Sequence, residues 1–155
     1  MKTLNLVITL SGFLLLTVSS HLSAGVEVET PRNADKSAQA EVLVAAIKTA
    51  HQHHDLNALM DLVFWQDVTP ETKNSIRKSF KELLERRIKN VYVAPVPKDQ
   101  MTEYTLGSVR YKINLKPAGL LHIHLSTAKD GVTLTSYVVG VHRGKYFIAT
   151  AAPTK

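Results

Sequence analysis

Seven histidines, in a chain of 155 residues without a single cysteine, are the side chains best suited to chemistry. His51 and His54 stand three apart, which puts both on one face of a helix and turns His53 away. His122 and His124 stand two apart in the run from Gly119 to Thr127, Gly-Leu-Leu-His-Ile-His-Leu-Ser-Thr. That run reads as a central β-strand, with Leu121, Ile123 and Leu125 on one side and the two histidines on the other. Imidazole nitrogens converging at about 2 Å hold zinc or another transition metal, so His51, His54, His122 and His124 are the metal-ligand candidates. Two features weigh against them. No carboxylate lies beside the strand pair, and nothing in the spacing turns the helix end toward the histidine side of the strand. A histidine at a helix C-terminus also has an ordinary role, since the carbonyl-rich end favours positive charge.

Acid–base chemistry has less to draw on. The stretches 104–115, 119–128 and 132–151 contain no aspartate or glutamate. An isomerase- or cyclase-like enzyme needs a carboxylate with a raised pKa opposite a hydrogen-bond donor. The nearest candidates are Asp61 and Asp67, with Tyr104, Tyr111 or Tyr137 as donors. No Gly-x-Ser-x-Gly elbow and no glycine-rich phosphate loop occurs, so nucleophilic and nucleotide chemistry lack their usual parts. Met60, Phe64, Trp65, Tyr111 and Tyr137 are the candidates to line a ligand pocket, although aromatics at helical spacing more often close a core.

The elements that must position these residues begin after residue 24. Lys2, then the uncharged run Leu6–Val18, then small residues follow the order of a secretory signal peptide spanning 1–24. The run is shorter than the roughly 20 residues a membrane span needs. Cleavage fits after Ser20 or Ala24. Without cysteine there is neither a lipoprotein anchor nor a disulfide. The expectation is therefore a periplasmic or secreted protein with no stable membrane span and no nucleic-acid partner. The formal charge of +6 is compatible with acidic partners but equally with a plain soluble surface.

Residues 25–33 read as a tether, and 34–152 as a single α+β domain of N-terminal helices packed on a curved antiparallel meander of four to five strands. A first helix is expected from Ala34 to His54, capped by Asn33 or Asp35. Asp55 restarts the chain as an N-cap for a short second helix ending at Trp65. Thr69-Pro70-Glu71 opens a third, running to Lys89, by a capping hydroxyl, a first-turn proline and an acid. Its remaining faces carry Lys73, Arg77, Lys78 and Lys81, interrupted by Glu82 and Glu85, a pattern that normally marks a solvated face. Strands follow at Val91–Val96, an edge because of Pro95 and Pro97, then at Tyr104–Leu115, 119–128, 132–141 and 145–151. An Asp130-Gly131 hairpin turn would pair His124 with Tyr137 and His122 with Val139.

Three helices before a long-stranded meander, with the restart His-Asp-Leu-Asn-Ala-Leu-Met-Asp-Leu-Val at 54–63, resemble the nuclear-transport-factor-2-like superfamily with its cystatin-like cone. The resemblance implies a curved sheet around a long helix, an apolar pocket inside the cone, and a homodimer formed through the sheet. Here the third helix follows the second without the strand hairpin usual between them, so a plain cystatin-like sheet is the other arrangement implied. Function is ordered accordingly. A noncatalytic envelope module binding a small apolar ligand or an envelope protein, with no cofactor, comes first. A small acid–base enzyme comes second and a histidine metal module third.

Overall fold

A computed structural model describes residues 31–126 and 131–154. The expected signal peptide, residues 25–30 of the expected tether and Asp130 lie outside the described residues, and residues 31–33 of that tether are helical instead.

Three helices precede the strands: α1 Pro31–Gln52, α2 Leu56–Asp61 and α3 Pro70–Leu84. Helix α1 is already helical at Pro31, the first described residue, so Asn33 and Asp35 lie inside it rather than capping it. It ends two residues before the expected His54. That residue takes a left-handed φ of 51°, and Asp55 N–H donates to the Ala50 carbonyl at 2.8 Å. Asp55 caps α2 as expected, its Oδ1 accepting from Ala58 N–H at 2.9 Å. Thr69 caps α3 in the same way, accepting from Thr72 N–H.

Helix α2 stops at Asp61, well short of Trp65. Val63 forms a parallel bridge to Ile148; Phe64 N–H donates to the Ile148 carbonyl and Ile148 N–H to that of Leu62. The β-branched and aromatic residues there serve a sheet edge better than another helical turn. Helix α3 likewise ends at Leu84, and Ile88 belongs to the first strand.

Seven strands follow: β1 Ile88–Ala94, β2 Glu103–Leu106, β3 Val109–Ile113, β4 Pro117–Ser126, β5 Val132–His142, β6 Lys145–Ile148 and β7 Ala151–Pro153. A four-stranded curled antiparallel sheet runs β1-β4-β5-β6, with β1 at the expected edge, and a three-stranded sheet runs β2-β3-β7. The expected strand over 104–115 is thus a hairpin. Tyr104 and Leu106 have even numbers, whereas Val109, Tyr111 and Ile113 have odd ones. That change of parity is what a two-residue turn at Gly107-Ser108 requires, with Gly107 at φ +61°. The chain leaves one sheet for the other at 114–116 and again at 149–150. Arg143 and Gly144, both at positive φ, form the two-residue turn joining β5 to β6.

The core lies between the helices and one face of the larger sheet. Leu43, Ile47, Leu59, Phe80 and Leu83 meet Leu121, Ile123, Leu125, Val139 and Ile148 there. Gly119 lies at a close approach in this layer: a Cβ on it would come within 2.6 Å of Val93 Cγ1.

Register corrects the hairpin expected at Asp130-Gly131. His124 faces Leu134, His122 faces Ser136, and Leu121 faces Tyr137. Pairing ends at Ser126–Val132, not at the residues flanking Asp130-Gly131 that a two-residue turn would join. The register moves by three, an odd number, which carries Tyr137 from the histidine face to the core face.

Candidate functional site

The alternation of β4 decides where its side chains go. Leu121, Ile123 and Leu125 are fully or almost fully buried under the helices, so His122 and His124 project from the opposite, outer face. The register aligns them with Tyr92 and Asn90 of β1 on one side and with Ser136 and Leu134 of β5 on the other. The Tyr92 ring lies 5.2 Å from that of His122 and 5.7 Å from that of His124, centre to centre. Ser136 Oγ lies 2.8 Å from His122 Nδ1. Its hydroxyl donates when the ring carries its proton on Nε2.

Burial, and second the neighbouring His124, push the His122 imidazole below the ordinary histidine range, because both disfavour the charged ring. His124 Nε2 is shut off from solvent and meets no hydrogen-bond partner among the described residues. Around these rings Tyr92 is 40% exposed, Leu134 48% and Val132 56%. Apart from Lys89, exposed at the β1 bulge, the outward positions of the three strands, Asn90, Tyr92 and Ala94, then Leu120, His122, His124 and Ser126, then Val132, Leu134, Ser136 and Val138, include no Asp, Glu, Lys or Arg. In a chain with 19 basic and 13 acidic residues, such a surface is a local exception.

The four candidate metal ligands are not brought together. His51 Nε2 donates to the Arg86 carbonyl at 2.8 Å, on the helix side of the sheet, and its ring lies 6.2 Å from that of His54. His122 and His124 are on the far side, separated from them by the core. No group of three or more His, Cys, Asp or Glu among the described residues is placed to hold a metal ion.

The five pocket candidates also part company. Met60 is core, and its carbonyl accepts from Trp65 Nε1–H at 2.9 Å, while Lys73 Nζ lies 5.4 Å above the Trp65 ring. Phe64 packs against His142 and Phe147 at the β6 end. Tyr111 stacks on Tyr104 in the small sheet. Tyr137 is edge-on to Phe80 and its hydroxyl shares a 3.2 Å hydrogen bond with Ser79. Burial pushes the Tyr137 phenol up; the Ser79 bond opposes this and the charge of Glu82 adds to it. Asp61 and Asp67 are exposed. Asp67 borders an open depression of about 600 Å³ together with Lys112, Asn114 and Ala152.

Two polar residues outside the expected site matter structurally. Arg86 donates to the Ser126 carbonyl and to Thr133 Oγ1, each at 3.3 Å, holding the β4–β5 hairpin to the end of α3. Asn114 Nδ2 serves the Phe64 carbonyl at 2.9 Å, the Gln66 carbonyl at 3.0 Å and Thr150 Oγ1 at 2.8 Å. Its Oδ1 accepts from Thr150 N–H at 2.9 Å. One cue existed, since asparagine is rare inside a strand run.

No family model and no curated protein matches the chain.

Proposed function

We propose that this chain is an exported, noncatalytic interaction module of the cell envelope whose protein partner lies against the outer face of the four-stranded sheet. One observation carries the reading: a three-strand-wide surface with no fixed charge inside its margin at Lys89, centred on Tyr92, His122, His124 and Leu134, lies uncovered. Tyrosine is the kind of anchor that dominates binding energy at interfaces, and its ring is held in place here before any partner arrives. The alternative site for a ligand, between sheet and helices, is occupied by the core side chains themselves. The order of helices before meander supports kinship with the nuclear-transport-factor-2-like superfamily, in which pairing through the sheet would make a second copy the partner.

The test is site-specific photocrosslinking in the cell. A crosslinker replacing Tyr92 or Leu134 should yield one discrete adduct, whose mass separates a second copy from another protein. A crosslinker at Val42, exposed on α1, should yield none. Adducts equally abundant from Val42, or none from the sheet face, refute the proposal. Mass spectrometry of the purified N-terminus checks export, with Ser20 or Ala24 as the residue removed last.

A further inference from the structure

We propose that the β2–β3 hairpin is a tip that seats the protein on an anionic lipid bilayer, its apolar end entering the interface and its basic residues meeting the headgroups. The two faces of the hairpin differ in kind. Register places Tyr104 opposite Tyr111 and Leu106 opposite Val109 on one face, with Glu103 opposite Lys112 on the other. At the tip, Leu106 is 52% exposed and Val109 40%. Two large apolar side chains side by side at a hairpin turn cost solubility, and neither belongs to this domain's own core.

The vertical order of the residues fits the layers of a membrane surface. Strands rise about 3.4 Å per residue, so Arg110 stands about 3 Å above Val109, the tyrosine pair about 7 Å and Lys112 about 10 Å. The headgroup zone on each side of a bilayer is about 5–8 Å deep. With Leu106 and Val109 at the hydrocarbon boundary, Arg110 and the tyrosines fall within that zone and Lys112 at its outer margin. Tyrosine favours that depth because its ring is apolar and its hydroxyl is not.

Charge supplies the choice of an anionic over a neutral surface. Arg110 and Lys112 both pair with the single acid Glu103, Lys112 at 3.5 Å, so the charged face keeps one net positive charge, and both basic side chains are more than half exposed. The Arg110 guanidinium beside Glu103 holds its carboxyl below the usual range. The acid therefore stays ionised and subtracts from the attraction. No described helix is long and apolar enough to cross a membrane, so the contact would be peripheral and reversible.

Co-sedimentation of the exported protein with vesicles tests this. Phosphatidylglycerol–phosphatidylcholine vesicles at low salt should bind it, and phosphatidylcholine alone should bind it far less. Replacing both tip residues (L106S with V109S) should abolish sedimentation. R110Q with K112Q should weaken binding about 25-fold on anionic vesicles, and E103Q should strengthen it about 5-fold, at roughly one headgroup-range charge each. A purely structural ion pair would predict no such gain from E103Q. The changed side chains are surface ones, so an unshifted thermal midpoint shows that each variant is folded. As a control, K78Q with K81Q on α3 should leave binding intact. Failure of the parent protein to sediment with anionic vesicles, survival of binding in the L106S/V109S variant, or its loss in K78Q/K81Q each overturns the proposal.

Discussion

Replacing Asn114 with alanine should unfasten the junction between the two sheets. Its side chain joins three stretches distant in sequence: the segment after α2 through the carbonyls of Phe64 and Gln66, the β3–β4 link, and the β6–β7 link through Thr150. Thr150 is buried, so its N–H would be left without the Oδ1 acceptor. An unmade hydrogen bond at a buried group costs about 1–3 kcal/mol, and each remaining bond contributes about 1 kcal/mol net. The Phe64 carbonyl keeps its bond from the Thr150 hydroxyl at 3.2 Å, which limits the loss. The total comes to about 3 kcal/mol, or roughly 12 °C in the thermal midpoint of a domain this size. Asn114→Asp is the sharper variant. It retains the acceptor but sets a carboxylate against two carbonyl oxygens, which raises the pKa of the new acid. Stability contributed by a raised acid is fully present below its unfolded value and lost as pH rises through the folded one. This variant should therefore be weakest near neutrality and recover on acidification. Urea denaturation from pH 4 to pH 8 is the assay. An alanine variant within about 1 kcal/mol of the parent, or an aspartate variant whose deficit does not shrink on acidification, would refute the reasoning.

Three further outcomes can be checked by the same measurement. His54→Gly should stabilise the domain by about 1 kcal/mol, because glycine accepts the left-handed φ that histidine holds at a cost; a loss instead would give His54 a role beyond ending α1. Gly140→Ala should destabilise by about 2–3 kcal/mol, since the added methyl would sit 2.6 Å from Leu115 Cβ and 2.8 Å from the Lys116 carbonyl oxygen, and unchanged stability would mean that this strand crossing has room to give. Stability should also fall as pH rises past about 10, where the raised Tyr137 phenol must ionise on unfolding. Tyr137→Phe should lessen that decline without removing it, as burial raises Tyr104 and Tyr146 too; an unchanged alkaline profile would exonerate Tyr137.

What could be read in advance was local. Asp55 and Thr69 announce their helices by their own hydrogen bonds, and Arg143-Gly144 sits in a turn set by its own two residues. The alternation Leu121-His122-Ile123-His124-Leu125 separates core from surface without reference to any other strand. What escaped depends on partners distant in the chain. The pairing of Tyr137 with Leu121 follows from how far apart β4 and β5 part company, which Asp130-Gly131 alone did not fix. The end of α2 at Asp61 follows from the edge of β6, which lies 84 residues later and is closed by Val63. For the candidate site, the face carrying His122 and His124 was legible, but its Tyr92 centre was not, because β1 enters the sheet beside β4 rather than beside β2. The Gly107-Ser108 turn is a local signal too, written in the parity of five apolar residues.

The short bridge of Leu62–Phe64 to β6 bears on how the protein behaves when crowded. An unpaired strand offers a row of donors and acceptors to any neighbouring chain, and edge-to-edge growth into fibres starts there. In the larger sheet, one flank is occupied by that bridge. On the other, β1 is followed by Pro95 and Pro97, and Asn90 Oδ1 accepts from Val91 N–H at 2.9 Å. Polymerisation through the sheet would have to begin by peeling Leu62–Phe64 away from Ile148. Substitutions that loosen this three-residue clip should therefore show themselves first as concentration-dependent aggregation, before any loss of the folded state.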